Sequence, residues 1–284
     1  MTTLKHYLSL IKFSHTIFAL PFACIGFTLA LLQGHSFSIK LFLLMLLCMV
    51  TARNSAMAFN RLIDRKFDAL NPRTAIREIP AGIINPNNAL FFIIINCVLF
   101  VTATWFINSI CFYLSPVALF VVLFYSYTKR FTPLCHLVLG CGLALAPIGA
   151  YLAVTGEFAW LPLLFSFTVF CWVSGFDIIY ALQDEAFDRA NQLNSIPVLL
   201  GTKGALNFSS FLHLLCIGFV ITAGYVGHFN FLYWIGVLIF IGLIIYQHSI
   251  VKPTDLSRVN LAFGTTNGIA SVVFATFTIV SFFI

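Results

Sequence analysis

Long uninterrupted apolar runs dominate this sequence and restrict the folds open to it. A helix that crosses a bilayer needs roughly 20 mostly apolar residues, whereas a membrane β-strand alternates apolar and polar residues over about ten positions. The chain shows only the first pattern. We place the runs at residues 14–33, 39–59, 88–107, 109–127, 134–154, 160–182, 205–226, 230–250 and 262–283. The sequence therefore predicts an all-α, polytopic membrane protein with nine transmembrane helices in one bundle.

The scarcity of charge supports this prediction. Charged residues make up 8% of the 284 residues and hydrophobic residues 61%, whereas a soluble domain carries about 25% charged residues. So few charges cannot cover the apolar surface of a soluble domain. The composition excludes a soluble globular enzyme, a disordered chain and a nucleic-acid-binding protein. We expect residues 1–284 to form a single domain surrounded by membrane lipid, without a nucleic-acid partner. The first run lacks a small-residue cleavage site, so we expect it to be retained.

The positions of the basic residues predict an orientation. Lys and Arg are enriched on the cytoplasmic side of membrane proteins. Here they fall in the N-terminal segment and in alternate loops, and Lys40 alone lies in an opposite loop. The first group comprises Lys5, Lys12, Arg61, Arg65, Lys66, Arg73, Arg77, Lys129, Arg130, Arg189, Lys203, Lys252 and Arg258. We therefore expect a multi-pass protein of the inner, cytoplasmic membrane, with its N-terminus and these loops in the cytoplasm.

Most of the nine acidic residues lie in two groups, each at the predicted cytoplasmic end of a span. The first group follows the second span and the other ends the sixth. Ionisable groups at the edge of a membrane are costly to bury and are functional candidates. The two groups are Asp64, Asp68 and Glu78, and Asp177, Asp184, Glu185 and Asp188.

The spacing within the two groups repeats. Asn60, Asp64 and Asp68 are four residues apart, and so are Tyr180, Asp184 and Asp188. Residues four apart share one face of a helix. In both copies the second Asp is followed within about a dozen residues by Ile-Pro. We interpret this as a weak duplication of four spans, a pseudo-repeat that predicts two carboxylate stripes facing one cavity.

Four carboxylates facing one cavity repel one another and need cations. Mg²⁺ binds hard oxygen ligands and combines a few carboxylates with water and substrate phosphates. Basic side chains near the stripes can take the outer phosphate oxygens. A diphosphate beside a Phe-rich interior predicts a polyprenyl diphosphate partner. Departure of the diphosphate leaves an allylic cation, which the faces of aromatic rings can stabilise. The aromatic residues beside the motifs are Phe59, Phe67, Tyr125, Phe176, Tyr180 and Phe187.

These motifs resemble those of the UbiA superfamily of intramembrane aromatic prenyltransferases. The family pattern N-x-x-x-D-x-x-x-D corresponds to Asn60–Asp68, and D-x-x-Y-A-x-x-D-x-x-x-D corresponds to Asp177–Asp188. The segment Arg73–Gly82 is similar to the family's R-T-x-x-R-P-L-P-S-G, and Tyr125–Arg130 also fits. Two residues depart from the pattern: Arg61 replaces an optional second Asp, and Glu78 replaces a Pro. Arg61 either contacts the diphosphate or weakens one Mg²⁺ site.

The resemblance implies a role for each matching residue. The Mg²⁺ ligands would be Asn60, Asp64, Asp68, Asp184 and Asp188, with Asp68 in support. The diphosphate would be bound or polarised by Arg73, Arg77, Tyr125 and Lys129. Arg61 and Tyr180 are further candidate substrate-binding residues beside the motifs. Asp177 would lie deeper, near the acceptor, and Lys12 and His15 would meet the carboxylate of that acceptor. Arg53, inside the second span, needs a partner at membrane depth, either Asp177 or the carboxylate of the acceptor.

The reaction that follows is transfer of a polyprenyl group to an aromatic acid. The diphosphate leaves with the help of Mg²⁺, and the ring carbon beside the phenolic hydroxyl attacks the cation. The resemblance favours 4-hydroxybenzoate, in ubiquinone or menaquinone synthesis. One alternative is the same chemistry on 1,4-dihydroxy-6-naphthoate in the futalosine route or on haem. Alternatives of other classes are a transporter, which would place its acids nearer the midplane, and a lipid phosphate hydrolase or phosphotransferase.

Overall fold

The computed structural model describes residues 3–284, except for the side chains of residues 3, 4 and 13–15. The predicted site residue His15 therefore lies outside the described side chains. The α-helices are α1 Thr3–Leu10, α2 Leu20–Leu32, α3 Ile39–Leu70, α4 Pro86–Ile107, α5 Ser109–Thr128, α6 Cys135–Thr155, α7 Trp160–Ala181, α8 Glu185–Ala190, α9 Ile196–Val226, α10 Phe231–Ile250 and α11 Asn267–Ser281. Phe13–Phe18 and Leu182–Asp184 are 3₁₀ segments, and Leu261–Thr266 is a π-helix.

The prediction of an all-α membrane protein is confirmed. Within the described part of the chain, eight helical stretches are long and apolar enough to cross a membrane. The predicted count of nine is not confirmed, because the first run forms a shorter apolar helical stretch, Thr16–Leu32. Its first turn is 3₁₀, and only 13 residues belong to α2.

Local sequence signals set the helix boundaries. Asn85, Ser195 and Asn230 cap α4, α9 and α10, because their side chains accept hydrogen bonds from backbone N–H groups in the first turn. Pro86 and Pro197 lie in the first turns of α4 and α9, where a missing N–H costs nothing.

Two helices are longer than the sequence analysis predicted. Helix α3 runs 32 residues, about 48 Å at 1.5 Å per residue, so it extends past an apolar core of about 30 Å. Its last turns carry the first polar motif. Helix α9 begins nine residues before the predicted run 205–226 and is kinked at Gly201, which has φ 67° and ψ 171°. Glycine tolerates this left-handed backbone because it has no Cβ.

The chain forms two compact units. The first comprises residues up to Thr16 together with Ile39–Tyr127, and the second comprises Ile17–Ser38 together with Thr128–Ile284. The prediction of a single domain over residues 1–284 stays a prediction. In the first unit, Leu10 of α1 and Ile79 and Ile84 of the loop after α3 belong to one buried cluster with residues of α3 and α4. The cluster thereby fixes the loop that follows the first motif.

The core of the second unit is aromatic. Trp172 of α7 is fully buried, and its ring centroid lies 5.5 Å from those of Phe22 and Phe240. Its indole N–H donates to Asn267 Oδ1 over 3.1 Å, and the Asn267 amide donates to Ala262 O within the π-helix. Buried polar atoms are costly unless they are hydrogen-bonded, and this chain of bonds satisfies the irregular start of the last span.

Helix α2 approaches α6 closely at Gly26. A Cβ at Gly26 would lie 2.0 Å from the backbone oxygen of Pro147. A side chain there forces one helix away from the other. Gly149, on the exposed face of α6, has open space around its missing Cβ.

We expect Gly26→Ala to destabilise the protein by about 1–3 kcal/mol, since overpacking forces backbone shifts. The matched control Gly149→Ala is expected to leave the stability unchanged or to raise it by about 0.4–1 kcal/mol, because alanine reduces the freedom of the unfolded chain. The measurement is the thermal unfolding midpoint of the purified proteins in detergent. Equal midpoints for both variants would contradict the close contact.

Candidate functional site

The first motif lies on a continuous helix, as the sequence analysis predicted. The Asn60 side-chain amide donates to Asp64 Oδ2 over 2.9 Å, one turn apart on α3. Asp68 follows a further turn along and is 6% exposed. The three side chains therefore follow one face at the C-terminal end of α3.

The loop after α3 folds back onto Asp68. Arg77 Nη1 lies 2.6 Å from Asp68 Oδ1, and the Thr74 hydroxyl donates to the Asp68 carbonyl over 3.0 Å. Asp68 and Arg77, predicted to support Mg²⁺ and to bind diphosphate, are therefore paired with each other. The backbone N–H of Arg73 donates to the Asn71 side chain over 3.0 Å, which shapes the start of this loop.

Arg61 points into the first unit. It is 5% exposed, and the charges of Asp68, Glu78 and Arg77 act on its guanidinium group. Residue 61 lies about 100° around the helix from residue 60, which explains why its side chain is buried beside the motif. Its Nε has no hydrogen-bond partner within the described part of the chain.

Arg53 has a partner that the sequence analysis did not foresee. Its Nη1 donates to the carbonyl of Ile11 over 2.8 Å, and its Nη2 donates to the carbonyl of Lys12 over 3.1 Å. These carbonyls follow the end of α1, where orphan acceptors need donors. Lys12 itself has an exposed side chain and a positive φ of 47°. Tyr125 lies near enough to interact with the charges of Arg53 and Arg61.

The second motif departs from the predicted helix. Tyr180 lies on α7, but the helix ends at Ala181, and a 3₁₀ turn carries Asp184 before α8 begins. Because a 3₁₀ turn has three residues instead of 3.6, the expected single stripe of Tyr180, Asp184 and Asp188 is wrong in detail. Asp188 lies on α8 and is 1% exposed.

A nearly buried ion pair holds Asp188. Lys129 Nζ lies 2.7 Å from Asp188 Oδ2, and the Lys129 carbonyl accepts the Asn194 N–H over 2.7 Å. Burial alone would lower the pKa of Lys129, but the charge and hydrogen bond of Asp188, together with the charge of Asp184, outweigh it and raise the pKa above its ordinary value. The Lys129 ammonium is therefore positive at neutral pH.

Asp177 also has a close partner. His136 Nδ1 on α6 lies 2.7 Å from Asp177 Oδ2 on α7. His136 is 3% exposed, and its Nε2 has no hydrogen-bond partner among the residues described. The sequence analysis missed His136 because this residue belongs to none of the motifs. An ionisable residue at the start of an apolar run is a signal that would have found it.

Aromatic side chains surround the start of the second motif. The ring centroid of Phe176 lies 5.5 Å from that of Phe18 and 5.4 Å from that of Phe263. The ring centroid of Tyr180 lies 4.1 Å from that of Phe263. Two of the aromatic residues predicted from their position beside the motifs, Phe176 and Tyr180, therefore contact the same ring. In the first unit, Phe59 lies 5.7 Å from Tyr127.

The donor atoms fit Mg²⁺ bound together with a substrate rather than an all-protein metal site. No group of three His, Cys, Asp or Glu side chains that could hold a metal occurs among the described residues. Mg²⁺ commonly uses one or two carboxylates and takes its other ligands from water and phosphate. Asp68 Oδ2 and Asp188 Oδ1 are buried carboxylate oxygens with no hydrogen-bond partner in the described structure, which suits a hard cation.

Comparisons with known proteins confirm the resemblance. The UbiA prenyltransferase family matches residues 19–277. The 4-hydroxybenzoate octaprenyltransferase of Tolumonas auensis is 28% identical over 78% of each chain, and that of Francisella tularensis subsp. novicida is 25% identical over 95% of each. A UbiA homologue from Aeropyrum pernix K1 is 32% identical with a TM-score of 0.85, covering 94% of this chain and 97% of its own. A homologue from Archaeoglobus fulgidus bound to GPP and Mg²⁺ is 21% identical with a TM-score of 0.74, covering 98% and 100%, and shares the fold.

The Lys129–Asp188 pair gives a prediction about stability. Lys129→Met leaves a buried carboxylate without its counter-ion and is expected to cost about 1–3 kcal/mol, less than for a fully buried pair because Lys129 is 31% exposed. The folded-state pKa of Lys129 lies above its ordinary value of 10.5. The contribution is therefore complete below that pH and is lost as the pH rises through the folded-state pKa.

The measurement is the thermal midpoint of the wild type and of Lys129→Met as a function of pH. The difference should stay constant between about pH 7 and 9 and narrow only above about 10.5. The control Arg189→Gln removes an exposed pair with Glu185 and should change the stability by less than about 0.5 kcal/mol. A midpoint of Lys129→Met equal to that of the control would contradict this account.

Proposed function

The chain belongs to the UbiA prenyltransferase family, and on that premise we propose that it transfers a polyprenyl group from polyprenyl diphosphate to 4-hydroxybenzoate. The observation that carries the proposal is the pair of carboxylate motifs, each with a basic partner at close range: Arg77 on Asp68 and Lys129 on Asp188. The names of the relatives, 4-hydroxybenzoate octaprenyltransferases, support the acceptor. The product would enter ubiquinone or menaquinone synthesis.

The carboxylates are the proposed metal ligands. Asn60, Asp64 and Asp68 from the first motif and Asp184 and Asp188 from the second would hold Mg²⁺ with the diphosphate. Bound Mg²⁺ would withdraw charge from the diphosphate and make it a better leaving group. The repeated sequence pattern and the unpartnered oxygens of Asp68 and Asp188 support these assignments.

Basic and hydroxyl side chains would bind the diphosphate itself. Lys129 remains positive at neutral pH, so it can donate to phosphate oxygens as well as to Asp188. Arg73 and Arg77 belong to the loop that folds back onto the first motif. We assign Arg61, Tyr125 and Tyr180 to the same anion, Tyr125 because it lies near two guanidinium groups.

The aromatic cluster of the second unit suits the cationic intermediate. Phe18, Phe176, Tyr180 and Phe263 pack against one another, and Phe176 directly precedes Asp177 in the chain. The faces of aromatic rings attract cations. The same rings exclude water, which would otherwise quench the allylic cation. The bond between C1 and the diphosphate oxygen breaks, and C1 bonds to the ring carbon beside the hydroxyl.

Asp177 is the residue that we propose for the acceptor, and Arg53, Lys12 and His15 are the proposed partners of the acceptor's carboxylate. Arg53 uses two N–H groups on the carbonyls that follow α1, and a guanidinium carries five donors, so it can also bind a carboxylate. The alternative acceptor 1,4-dihydroxy-6-naphthoate offers the same carboxylate and a phenolic hydroxyl. We place the protein in the inner membrane with the motif-bearing loops in the cytoplasm, on the basis of the one-sided distribution of Lys and Arg.

The metal-binding proposal predicts the behaviour of two variants. Asp64→Asn and Asp184→Asn should each lower kcat by about 100-fold or more, because Mg²⁺ supplies several kcal/mol of charge stabilisation. EDTA should abolish turnover of the wild type. The control Glu157→Gln changes an exposed acid outside both motifs and should keep wild-type activity.

The measurement is formation of prenylated acid from geranylgeranyl diphosphate, with excess Mg²⁺ and with EDTA. Full turnover of the wild type in EDTA, or of either Asp variant in Mg²⁺, would rule out the assigned metal role. Release of inorganic phosphate without a joined ring would point to a hydrolase instead.

The acceptor is tested by competition. Equal concentrations of 4-hydroxybenzoate and 1,4-dihydroxy-6-naphthoate, given together with one prenyl diphosphate, should yield mainly the prenylated hydroxybenzoate. The product ratio, read by mass spectrometry, reports the ratio of kcat/KM for the two acids. A product formed only from the naphthoate would transfer the proposal to that acceptor.

A further inference from the structure

His136 is a buried ionisable side chain that the reaction described so far does not use. It is the second residue of α6 and is 3% exposed. Its ring nitrogen Nδ1 lies 2.7 Å from Oδ2 of Asp177, the residue that we assign to the acceptor. A histidine in this position has two ring nitrogens, and the fate of each can be argued separately.

The hydrogen bond to Asp177 determines which nitrogen carries the proton. An ionised carboxylate only accepts, so His136 Nδ1, 2.7 Å from Asp177 Oδ2, is the donor. The role proposed below for Nε2 requires the neutral imidazole, in which Nε2 has a lone pair. This atom is buried and has no hydrogen-bond partner within the described part of the chain. A buried polar atom left unpaired costs about 1–3 kcal/mol, which points to a donor that arrives from outside the protein.

Close packing of α6 against α7 holds this pair in place. Gly140 lies one turn after His136, and a Cβ there would be 2.2 Å from Ser174 Oγ and 2.8 Å from the Phe170 carbonyl. Ser174 precedes Asp177 by three residues and is fully buried. Side chains on tightly packed helices are positioned more exactly than side chains on loops, so the direction of Nε2 is fixed.

We infer that His136 Nε2 is the base that accepts the hydroxyl proton of the aromatic acceptor, and that Asp177 orients the imidazole. The inference rests on the proposed function. A phenolic O–H is the donor that the unpartnered Nε2 lacks, and a phenolate-like oxygen makes the neighbouring ring carbon more nucleophilic. Three of the described charged or titratable groups interact electrostatically with His136: Asp177, Asp188 and Cys135.

The proton balance closes without another reactant. The C1–O bond breaks first, with both electrons leaving on the diphosphate oxygen. The ring carbon then bonds to the C1 cation while the hydroxyl proton moves to Nε2. The hydrogen on the alkylated ring carbon then leaves as a proton to the released diphosphate, which restores the aromatic ring. Finally, Nε2 returns its proton to the phenolate oxygen. Asp177 accepts the hydrogen bond from Nδ1 and so stabilises the imidazolium.

Two substitutions separate proton transfer from binding. Glutamine can donate to Asp177 and accept from the hydroxyl but cannot take its proton. His136→Gln should therefore keep KM for the acceptor within about threefold of wild type while kcat falls about 100-fold, the usual contribution of a general base. His136→Leu can neither take the proton nor accept a hydrogen bond from the acceptor. It should therefore also raise KM about tenfold, because one hydrogen bond to the acceptor is lost. Mg²⁺-dependent binding of the prenyl diphosphate should be unchanged in both.

His213→Gln is the matched control, because His213 is equally buried in the same unit and donates from Nε2 to the Trp172 carbonyl. It should keep the wild-type kcat even if its thermal midpoint falls. A kcat of His136→Gln within about threefold of wild type would overturn the inference. It would mean that Nε2 does not take the proton and that a water molecule satisfies it in the wild type. An equal loss of kcat in His213→Gln would overturn it too.

Competition on the unmodified protein provides a second measurement that needs no variant. 4-Fluorobenzoate matches 4-hydroxybenzoate in size but has no proton to donate, and it should bind at least about tenfold more weakly, because Nε2 stays unpaired. Equal affinities would contradict the role of His136. The two levels remain distinguishable: a wild type that makes no prenylated acid would overturn the proposed function, whereas an active wild type with an equally active His136→Gln would overturn only this inference.

Discussion

A buried ionisable group is costly unless it has a partner, and this constraint shapes both motif-bearing regions. Asp68 is paired with Arg77, Asp188 with Lys129, and Asp177 with His136, each over 2.6–2.7 Å. Each pair lies within one of the two compact units. In every case the partner comes from another segment, so that pairing the acid also fixes a loop or a helix. The polar motifs are thus part of the structural framework as well as candidates for chemistry.

The pairs leave atoms that a substrate can use. Asp68 and Asp188 each keep one buried oxygen without a hydrogen-bond partner, and His136 keeps Nε2. Two kinds of atom are thus left without a partner: carboxylate oxygens that suit a hard cation, and a ring nitrogen whose lone pair suits a proton donor. The proposed Mg²⁺-diphosphate would satisfy the carboxylate oxygens, and the proposed phenolic acid would satisfy the nitrogen. We therefore assign the leaving group to the two acidic motifs and the acceptor to the Asp177–His136 pair.

Much of the fold was predictable because apolar run length is a direct consequence of bilayer thickness. The runs matched α4 to α7 and α10 closely. The errors have physical causes. Helix α3 continues beyond its apolar run since the polar motif itself is helical, and Gly201 permits a kink that joins Ile196–Leu200 to the rest of α9. The first run begins with a 3₁₀ turn, which its composition does not reveal.

The candidate site was predicted less completely. Spacing by four placed Asn60, Asp64 and Asp68 on one helix face correctly, but it could not reveal the 3₁₀ turn before α8. Pairing depends on packing between distant segments, so sequence alone did not find the bond of Arg53 to the end of α1 or that of His136 to Asp177. Arg53 was selected as a charge inside the second span, although its partner was not foreseen. The same search extended to histidine would have selected His136, which lies within an apolar run.

The central claim is that this protein forms a carbon–carbon bond between a prenyl group and an aromatic ring. Mass spectrometry of the product made from ring-deuterated 4-hydroxybenzoate and geranylgeranyl diphosphate tests it most directly. The account predicts a product that has gained the prenyl group and lost a single ring deuterium, because the attacking carbon gives up its hydrogen. A prenylated product that keeps every ring deuterium would show attachment to oxygen, and the absence of any joined product would show a different function; either result would contradict the account.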